Sequence, residues 1–319
     1  MVMEVSSQGL KYNRVDGIEF ATSCFINIGQ DHISPIEHPT FEDYFNSKLS
    51  IFKQSKVACI NMDTDHYDEV EKAASIIPYI TYSLNNESAN VYARNIQSVN
   101  GSVEFDVVVK NIPEYQDVTE HIKLAIFGTI NVIDALAAIT IAISQGVPMK
   151  YCVSGLAKAV VPGRMMLIKS KDGKRIGLVD YAHNGISFRF LLSSIKQEFP
   201  EKDIIMVFGA AGGKAYNRRA ELGEVAGEYS KHIILTEDDS GEEGPLPICE
   251  QIAAHIGSDC TYEIILDRPE AVRKAIRMAD ENTIVIAAGK SMETTQKRGQ
   301  HSIEIESDYD VMTKEFALL

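Results

Sequence analysis

Short apolar runs alternate with amphipathic stretches along the chain, and the alternation changes character twice. MVMEVSS sets small apolar residues directly before a polar turn and predicts the end of a buried strand, with further sequence expected upstream of it. FATSCFINIG and SKVACINMD predict two more strands, and FEDYFNSKLSIF between them carries apolar residues at helical spacing. Strand, helix, strand is the rhythm of a parallel sheet. From Ile77 to Phe127 the runs YITYSL, NVYARNIQSV, SVEFDVVVK and HIKLAIF are short and alternating, with Asn and Gly at the turns, and predict an antiparallel meander. NVIDALAAITIAISQGV predicts a helix closed by a glycine in the left-handed cap conformation.

The pattern resets at VVPGR, which sets a domain boundary at Pro162-Gly163 and domains over 1–162 and 163–319. Beyond it, RIGLVDYAH, DIIMVFGAA, HIILTEDD, CTYEIILD and TIVIAAGK predict strands. All but the last are followed by a helical stretch such as GISFRFLLSSIKQEF or RPEAVRKAIRMA. The expected fold is α/β, with a doubly wound, Rossmann-like second domain whose ligands bind at the carboxyl ends of the strands. Those ends are YAHN, GAAGGK, TEDDSGEEG and AGKSMETTQ.

A length of 319 residues with 45% hydrophobic content suits two domains that each bury a core. The formal net charge of -14 provides no positive field for nucleic acid or an anionic membrane, so any phosphate must meet local cations or amides. Five cysteines without a CxxC pair disfavour a disulfide framework or a zinc knuckle and suggest reduced thiols. No leader precedes MEVSSQGL and no apolar run approaches membrane-spanning length, so a cytoplasmic location is expected.

VFGAAGGKAYNRR has the look of a phosphate loop, yet only three residues separate Gly209 from Gly213, and Ala215 stands where a magnesium-binding hydroxyl is required. The four strand-end loops carry Asp180, His183, Lys214, Arg218, Arg219, Glu237, Asp238, Asp239, Lys290 and Glu293. Singly, each reads as a solvated charge. Together, mixed signs on one rim suit a zwitterion, with cations for a carboxylate and acids for an ammonium. In the first domain Glu4, His32 and Lys48 lie beside one sheet edge, and Glu with neutral His is a reasonable magnesium pair.

MEVSSQGL with Arg14, QDHISPIEHPTFEDYFNSKLSIF, INMDTD, FGTINVIDALAA, VPGR, VDYAHN, GAAGGK, TEDD, DRPEAV and AGKSME occur in the order seen in Mur ligases. From Glu4 to about Gln296 the chain resembles the tripeptide-synthetase, or MurE, branch most closely. The resemblance implies the remainder of a P-loop-type central domain followed by an amino-acid-binding domain. It also implies an ATP-dependent ligase of peptidoglycan precursors that adds an amino acid to a UDP-muramyl-peptide through an acyl phosphate, with magnesium. By resemblance, Glu4 and His32 hold magnesium, Lys48 is carbamylated and helps place it, and Lys48, His32 and His183 form the catalytic set. Ser6 and Arg14 contact the UDP-muramyl-peptide. Asn131, Asp134, Arg164, Asp180 and His183 serve the nucleotide, with Asp134 in place of the family's second asparagine. Lys214, Asp239, Gly241, Gly289 and Glu293 line the amino-acid pocket.

The departures are specific. The family's Walker A loop and N-terminal domain are absent from these residues, so the chain alone is expected to be inactive unless a partner chain supplies the P-loop. Lys214 and Gly241 stand where the diaminopimelate branch carries arginines; losing a forked guanidinium disfavours diaminopimelate. AGKGHE has become AGKSME, DYAHNP ends in Gly185, and Ala215 replaces an aspartate. Two other readings remain: a binding or assembly protein that kept the fold and lost turnover, and an amino-acid ligase of another polymer, like folylpolyglutamate or cyanophycin synthetases.

Overall fold

The computed structural model describes residues 1–29, 33–34, 37–99, 102–213 and 216–319. They form two compact units, Met1–Val160 and Val161–Leu319.

The first unit runs α1 (Ser7–Lys11), β1 (Ser23–Phe25), α2 (Phe41–Leu49), β2 (Ala58–Asn61), α3 (Tyr67–Ala74), β3 (Tyr79–Ser83), β4 (Val91–Val99), β5 (Ser102–Val109), β6 (Val118–Leu124), α4 (Asn131–Ser144) and α5 (Met149–Leu156). Its strands form one six-stranded sheet in sequence order. β1, β2, β3 and β4 pair parallel, and β4, β5 and β6 antiparallel. The predicted meander is therefore corrected: β3 belongs to the parallel half, and the antiparallel strands continue the same sheet. Alternation alone does not separate the two pairings, because a half-buried strand has period two in either. β5 shows that period clearly, with Val103, Phe105, Val107 and Val109 buried between half-exposed neighbours. α4 closes as predicted: Gly146 has φ +72, its N–H reaches the Ile143 carbonyl, and the Val147 N–H reaches that of Ala142.

The strand expected in MVMEVSS does not form. Met1 to Glu4 are irregular and exposed, and the first regular element is α1, capped by Ser6. An apolar run without a neighbour to complete its hydrogen-bond ladder has no reason to extend as a strand.

The second unit runs β7 (Met166–Lys169), β8 (Ile176–Asp180), α6 (Gly185–Glu198), β9 (Asp203–Phe208), α7 (Asn217–Tyr229), β10 (His232–Leu235), α8 (Pro245–Ala253), β11 (Thr261–Ile264), α9 (Arg268–Met278), β12 (Thr283–Ala288), β13 (Thr295–Arg298), β14 (His301–Glu304) and α10 (Asp308–Leu318). The main sheet has the order β11-β10-β9-β12-β8-β7, parallel except for β7. β12 thus inserts between β8 and β9, as a doubly wound sheet requires. Ile205, Val207, Val285 and Ala287 pack with Val272, Ile276, Met312 and Phe316 of α9 and α10. Phe208 points the other way and meets Phe188 of α6 edge to face, 5.0 Å between ring centres. Burial on both faces is why these strands read as continuous apolar runs.

Candidate functional site

The carboxyl ends of β9, β10 and β12 bring their loops together in the second unit. Gly212 makes the approach possible: its N–H donates to the Asp239 carbonyl at 2.9 Å, and a Cβ there would fall 1.9 Å from the Ser240 carbonyl oxygen. The Gly213 N–H donates to Glu243 Oε2 at 3.0 Å. Two amides of the glycine loop are thus spent on the neighbouring loop rather than displayed to a phosphate.

Lys290 lies at the centre. Its side chain is 2% exposed, and Nζ donates to Asp239 Oδ1 at 2.8 Å and to Glu293 Oε2 at 2.5 Å. Burial by itself would lower the pKa of this ammonium, but the two carboxylates outweigh it and hold the pKa above its ordinary value. Asp239 Oδ1 also accepts the Lys297 N–H at 2.9 Å, which ties the β13–β14 hairpin to the loop. Gly289, at φ +107, backs onto Asp238: a Cβ would lie 2.8 Å from its carboxylate. The Gly241 N–H donates to the Lys297 carbonyl at 3.0 Å, and Gly241 forms a β-bridge with Arg298. Asp239, Gly241, Gly289 and Glu293 are therefore gathered in one place. Lys214 lies outside the described residues.

Four charges placed on the rim from sequence turn inward instead: Asp180 at the end of β8, taken up below, and Arg219, Glu237 and Lys290. Arg219, 2% exposed, forks onto Glu243 at 2.5 and 2.7 Å and also reaches Gln251. Glu237 is buried beneath Arg298 and Ser240. Lys290 is enclosed as described above. Each is tolerated in the interior because a partner neutralises it. Arg219 holds the Glu243 carboxyl below its ordinary value of 4.5. A lowered folded pKa means this contribution is present above pH 4.5 and lost as pH falls through the depressed value. Glu243→Gln should accordingly flatten the acid limb of stability below pH 4.5, read as urea midpoint against pH.

At the end of β8, Asp180 accepts the N–H groups of Met165 at 2.8 Å and Ala182 at 2.7 Å, and Arg164 Nη1 stands 3.7 Å away. Burial pushes the Asp180 carboxyl up, against those amides and Arg164. The Arg164 guanidinium also lies over the Tyr181 ring, 5.4 Å from its centre. His183 is exposed, and its Nδ1 donates to the Tyr181 carbonyl at 2.7 Å, directing Nε2 away from the backbone. Arg164, Asp180 and His183 thus share one strand end. The turn before α6 is fixed by a reciprocal cap between Asn184 and Ser187.

In the first unit Ser6 is exposed and accepts the Gly9 N–H at 3.0 Å. Arg14 is exposed, with its guanidinium 5.8 Å from the Tyr12 ring centre. Glu4 is exposed, and His32 lies outside the described residues. Lys48 donates from Nζ to the Asn27 carbonyl at 3.0 Å and sits 5.6 and 5.2 Å from the ring centres of Phe25 and Tyr44. As an ammonium it can only donate, so it joins a metal only once carbamylated. Among the described residues no three of His, Cys, Asp or Glu gather as a metal site. Asn131 and Asp134 stand one turn apart on α4; Asn131 Nδ2 donates to the Phe127 carbonyl at 2.6 Å and so closes the FGTIN turn.

Sequence reading missed a chain of hydrogen bonds between α1 and α2 that runs from the buried Ser7 and His38 out to the half-exposed Asp43 and Lys11. His38, 0% exposed, bonds Ser7 Oγ through Nε2 at 2.9 Å and Asp43 through Nδ1 at 2.6 Å, while Lys11 Nζ meets the same carboxylate at 2.6 Å. Lys11 first, then His38, holds the Asp43 carboxyl below its ordinary value. The residues come from three segments, and no local spacing signals them. Among the described residues no helix is long and apolar enough to cross a membrane.

Residues 1–142 match the Mur ligase middle domain and residues 163–291 the Mur ligase glutamate ligase domain. The chain is 34% identical over 299 residues to a UDP-N-acetylmuramoyl-L-alanyl-D-glutamate–L-lysine ligase of Enterococcus faecalis, covering 93% of this chain and 58% of that one. It is 37% identical over 304 residues to the enzyme of the same name from Streptococcus agalactiae, covering 94% and 59%. It thus spans less than two thirds of these relatives. Among solved structures, a UDP-N-acetylmuramoyl-L-alanyl-D-glutamate–2,6-diaminopimelate ligase superposes with TM-score 0.60 at 26% identity, over 98% of this chain and 63% of that one. MurF from Acinetobacter baumannii superposes with TM-score 0.66 at 18% identity, over 93% and 60%, a likeness of fold. With a Mur ligase middle domain followed by a Mur ligase glutamate ligase domain, the chain belongs to the Mur ligase family.

Proposed function

We propose that this chain serves an ATP-dependent carbon–nitrogen ligase of peptidoglycan precursor synthesis, and that the amino acid it takes is L-lysine. The carrying observation is the pair of carboxylates, Asp239 and Glu293, brought from two strand ends onto one ammonium, that of Lys290. Such a cradle accepts cationic nitrogen. Asp238 lies alongside, and even with the buried Arg268 guanidinium, itself paired with Asp308, the acids Asp238, Asp239, Glu293 and Asp308 outnumber the two buried cations, so a diamino acid brings compensating side-chain charge. Diaminopimelate would present a second carboxylate there, which the same acids repel. The names of the relatives, L-lysine ligases, agree with this choice.

In the proposed reaction the peptide carboxylate takes the γ-phosphoryl group of ATP and ADP leaves; the lysine α-amine then attacks the acyl phosphate, forming the amide and releasing phosphate. Ser6 and Arg14 would contact the UDP-muramyl-peptide, Asn131, Asp134, Arg164, Asp180 and His183 the nucleotide, and Lys214 and Gly241 the remainder of the amino-acid pocket. Magnesium would neutralise charge between the two anions, held by Glu4, His32 and carbamylated Lys48; the described residues show no assembled ligand set. Arg164 would keep its guanidinium beside Asp180, ready to face a ribose or phosphate.

Calorimetric titration of the chain with L-lysine, L-norleucine and meso-diaminopimelate tests the amino-acid assignment. L-Lysine should bind at least about tenfold more tightly than norleucine, the difference being one charge-assisted contact. Equal affinity for lysine and norleucine, or preference for diaminopimelate, overturns it.

A further inference from the structure

Ser291 follows the caged lysine and holds the least comfortable backbone of the pocket loop. Its φ of +48 lies in the left-handed region, where a side chain is rarely found, and the residue is fully buried. The surrounding bonds over-determine this conformation. Ser291 Oγ donates to the Gly163 carbonyl at 2.8 Å, its N–H donates to Asp308 Oδ2 at 3.1 Å, and its carbonyl accepts the Tyr309 N–H at 3.1 Å. A glycine would take the backbone angle without strain but could not make the first of these bonds.

The bond to Gly163 joins two features otherwise far apart in sequence. On one side are Lys290 and Glu293, whose N–H donates to the Lys290 carbonyl at 2.8 Å. On the other, Gly163 leads into Arg164 and Met165. Met165 also has positive φ, at +47, and is held by Asp180 through its N–H. The short segment from Gly163 to Met165 is therefore pinned twice, by Asp180 at the end of β8 and by Ser291 at the end of β12. Neither pin is solvated: Asp180 is 5% exposed and Ser291 0%.

We infer that Ser291 is a positioning residue that couples occupancy of the ammonium pocket to the order of the Gly163–Met165 segment, and through it to the placement of Arg164 beside Asp180. A ligand that engages Asp239 and Glu293 fixes the loop at Lys290, and the Ser291 hydroxyl carries that constraint to the Gly163 carbonyl. The coupling takes its ligand from the L-lysine reading above; the latch itself does not depend on that reading.

Amide hydrogen exchange on the whole chain tests both parts, with Ser291→Gly, which suits the backbone angle, and Ser291→Ala, which removes only the hydroxyl. Without ligand, the Arg164 and Met165 amides should exchange about two- to tenfold faster in both variants, as expected for one lost hydrogen bond, while amides of β9 and β10 keep their rates. Saturating L-lysine should slow the same two amides in the wild type, and less so in either variant. Unchanged exchange at Arg164 and Met165 in Ser291→Ala overturns the latch. L-Lysine that binds by calorimetry yet leaves those amides unaltered overturns the coupling. If L-lysine fails to bind the wild type, the amino-acid assignment falls, and the ligand-free comparison still decides the latch.

Discussion

Arg268→Ala is expected to cost the second unit about 3–5 kcal/mol, enough to exhaust a large part of its stability. The guanidinium is buried and paired: Nε and Nη2 donate to the two oxygens of Asp308, each at 2.8 Å, Nη2 also donates to the Ala288 carbonyl, and Nη1 donates to the Glu237 carbonyl. Burial alone would favour the neutral form, but Asp308 more than offsets it and holds the arginine charged. Truncation would leave Asp308 as a buried carboxylate with only the Ser291 amide described as facing the same oxygen. The cost therefore comes mainly from the stranded partner. A second variant isolates this: replacing both residues by apolar ones, Arg268→Met with Asp308→Leu, should cost much less than Arg268→Ala. Urea unfolding followed through signals of the second unit supplies the measurement. A shift under about 1 kcal/mol for Arg268→Ala would mean that the charge pair contributes little to holding the strand ends together.

Arg268 also marks the limit of what sequence shows. DRPEAV announces a helix start: Asp267 caps α9 by accepting the Glu270 N–H at 2.9 Å, and proline stands in the first turn. Nothing local says that the arginine between them turns into the core. Its partner, Asp308, opens a helix 40 residues later, and only packing of α9 beside α10 brings the two together. Ser7, His38 and Asp43 repeat the lesson in the first unit, where polar residues from separate segments form one chain of bonds around the buried His38.

Other omissions had visible cues. MMLIKSKDGKRIGLVD is a hairpin with Asp172-Gly173 at its turn, and Gly173 takes φ +71, so β7 was legible from turn chemistry. Ser307, capping α10 by accepting the Asp310 N–H, precedes apolar residues at helical spacing. The β13–β14 hairpin is different: TQKR and HSIE lack the apolar alternation that a strand shows when one face is buried, and β14 is exposed throughout. The parallel strands of the second unit were the most legible elements, because burial on both faces leaves long apolar runs between polar turns. MVMEVSS misled for the converse reason: apolar composition signals burial only where something is present to bury it.

Glu293→Gln should weaken L-lysine binding about 10- to 100-fold, with little change for L-norleucine, because a charge-assisted hydrogen bond contributes about 1.5–3 kcal/mol. The substitution is nearly isosteric and keeps an acceptor for Lys290, so the loop should remain folded. What it removes is a negative charge from a cluster in which Lys290 already neutralises one carboxylate. Asp239→Asn removes the same charge but also alters the group that receives the Lys297 amide and anchors the hairpin, so its effect should be larger and should reach every amino acid tested. The contrast between the two variants carries the meaning. A loss confined to cationic ligands in Glu293→Gln identifies Glu293 as the group that reads the side-chain ammonium. A parallel loss for lysine and norleucine would instead make Glu293 a partner of Lys290 alone and leave recognition of the ammonium to Asp239. Calorimetric affinities for the two amino acids, measured at one pH and ionic strength on wild type and both variants, decide between these outcomes.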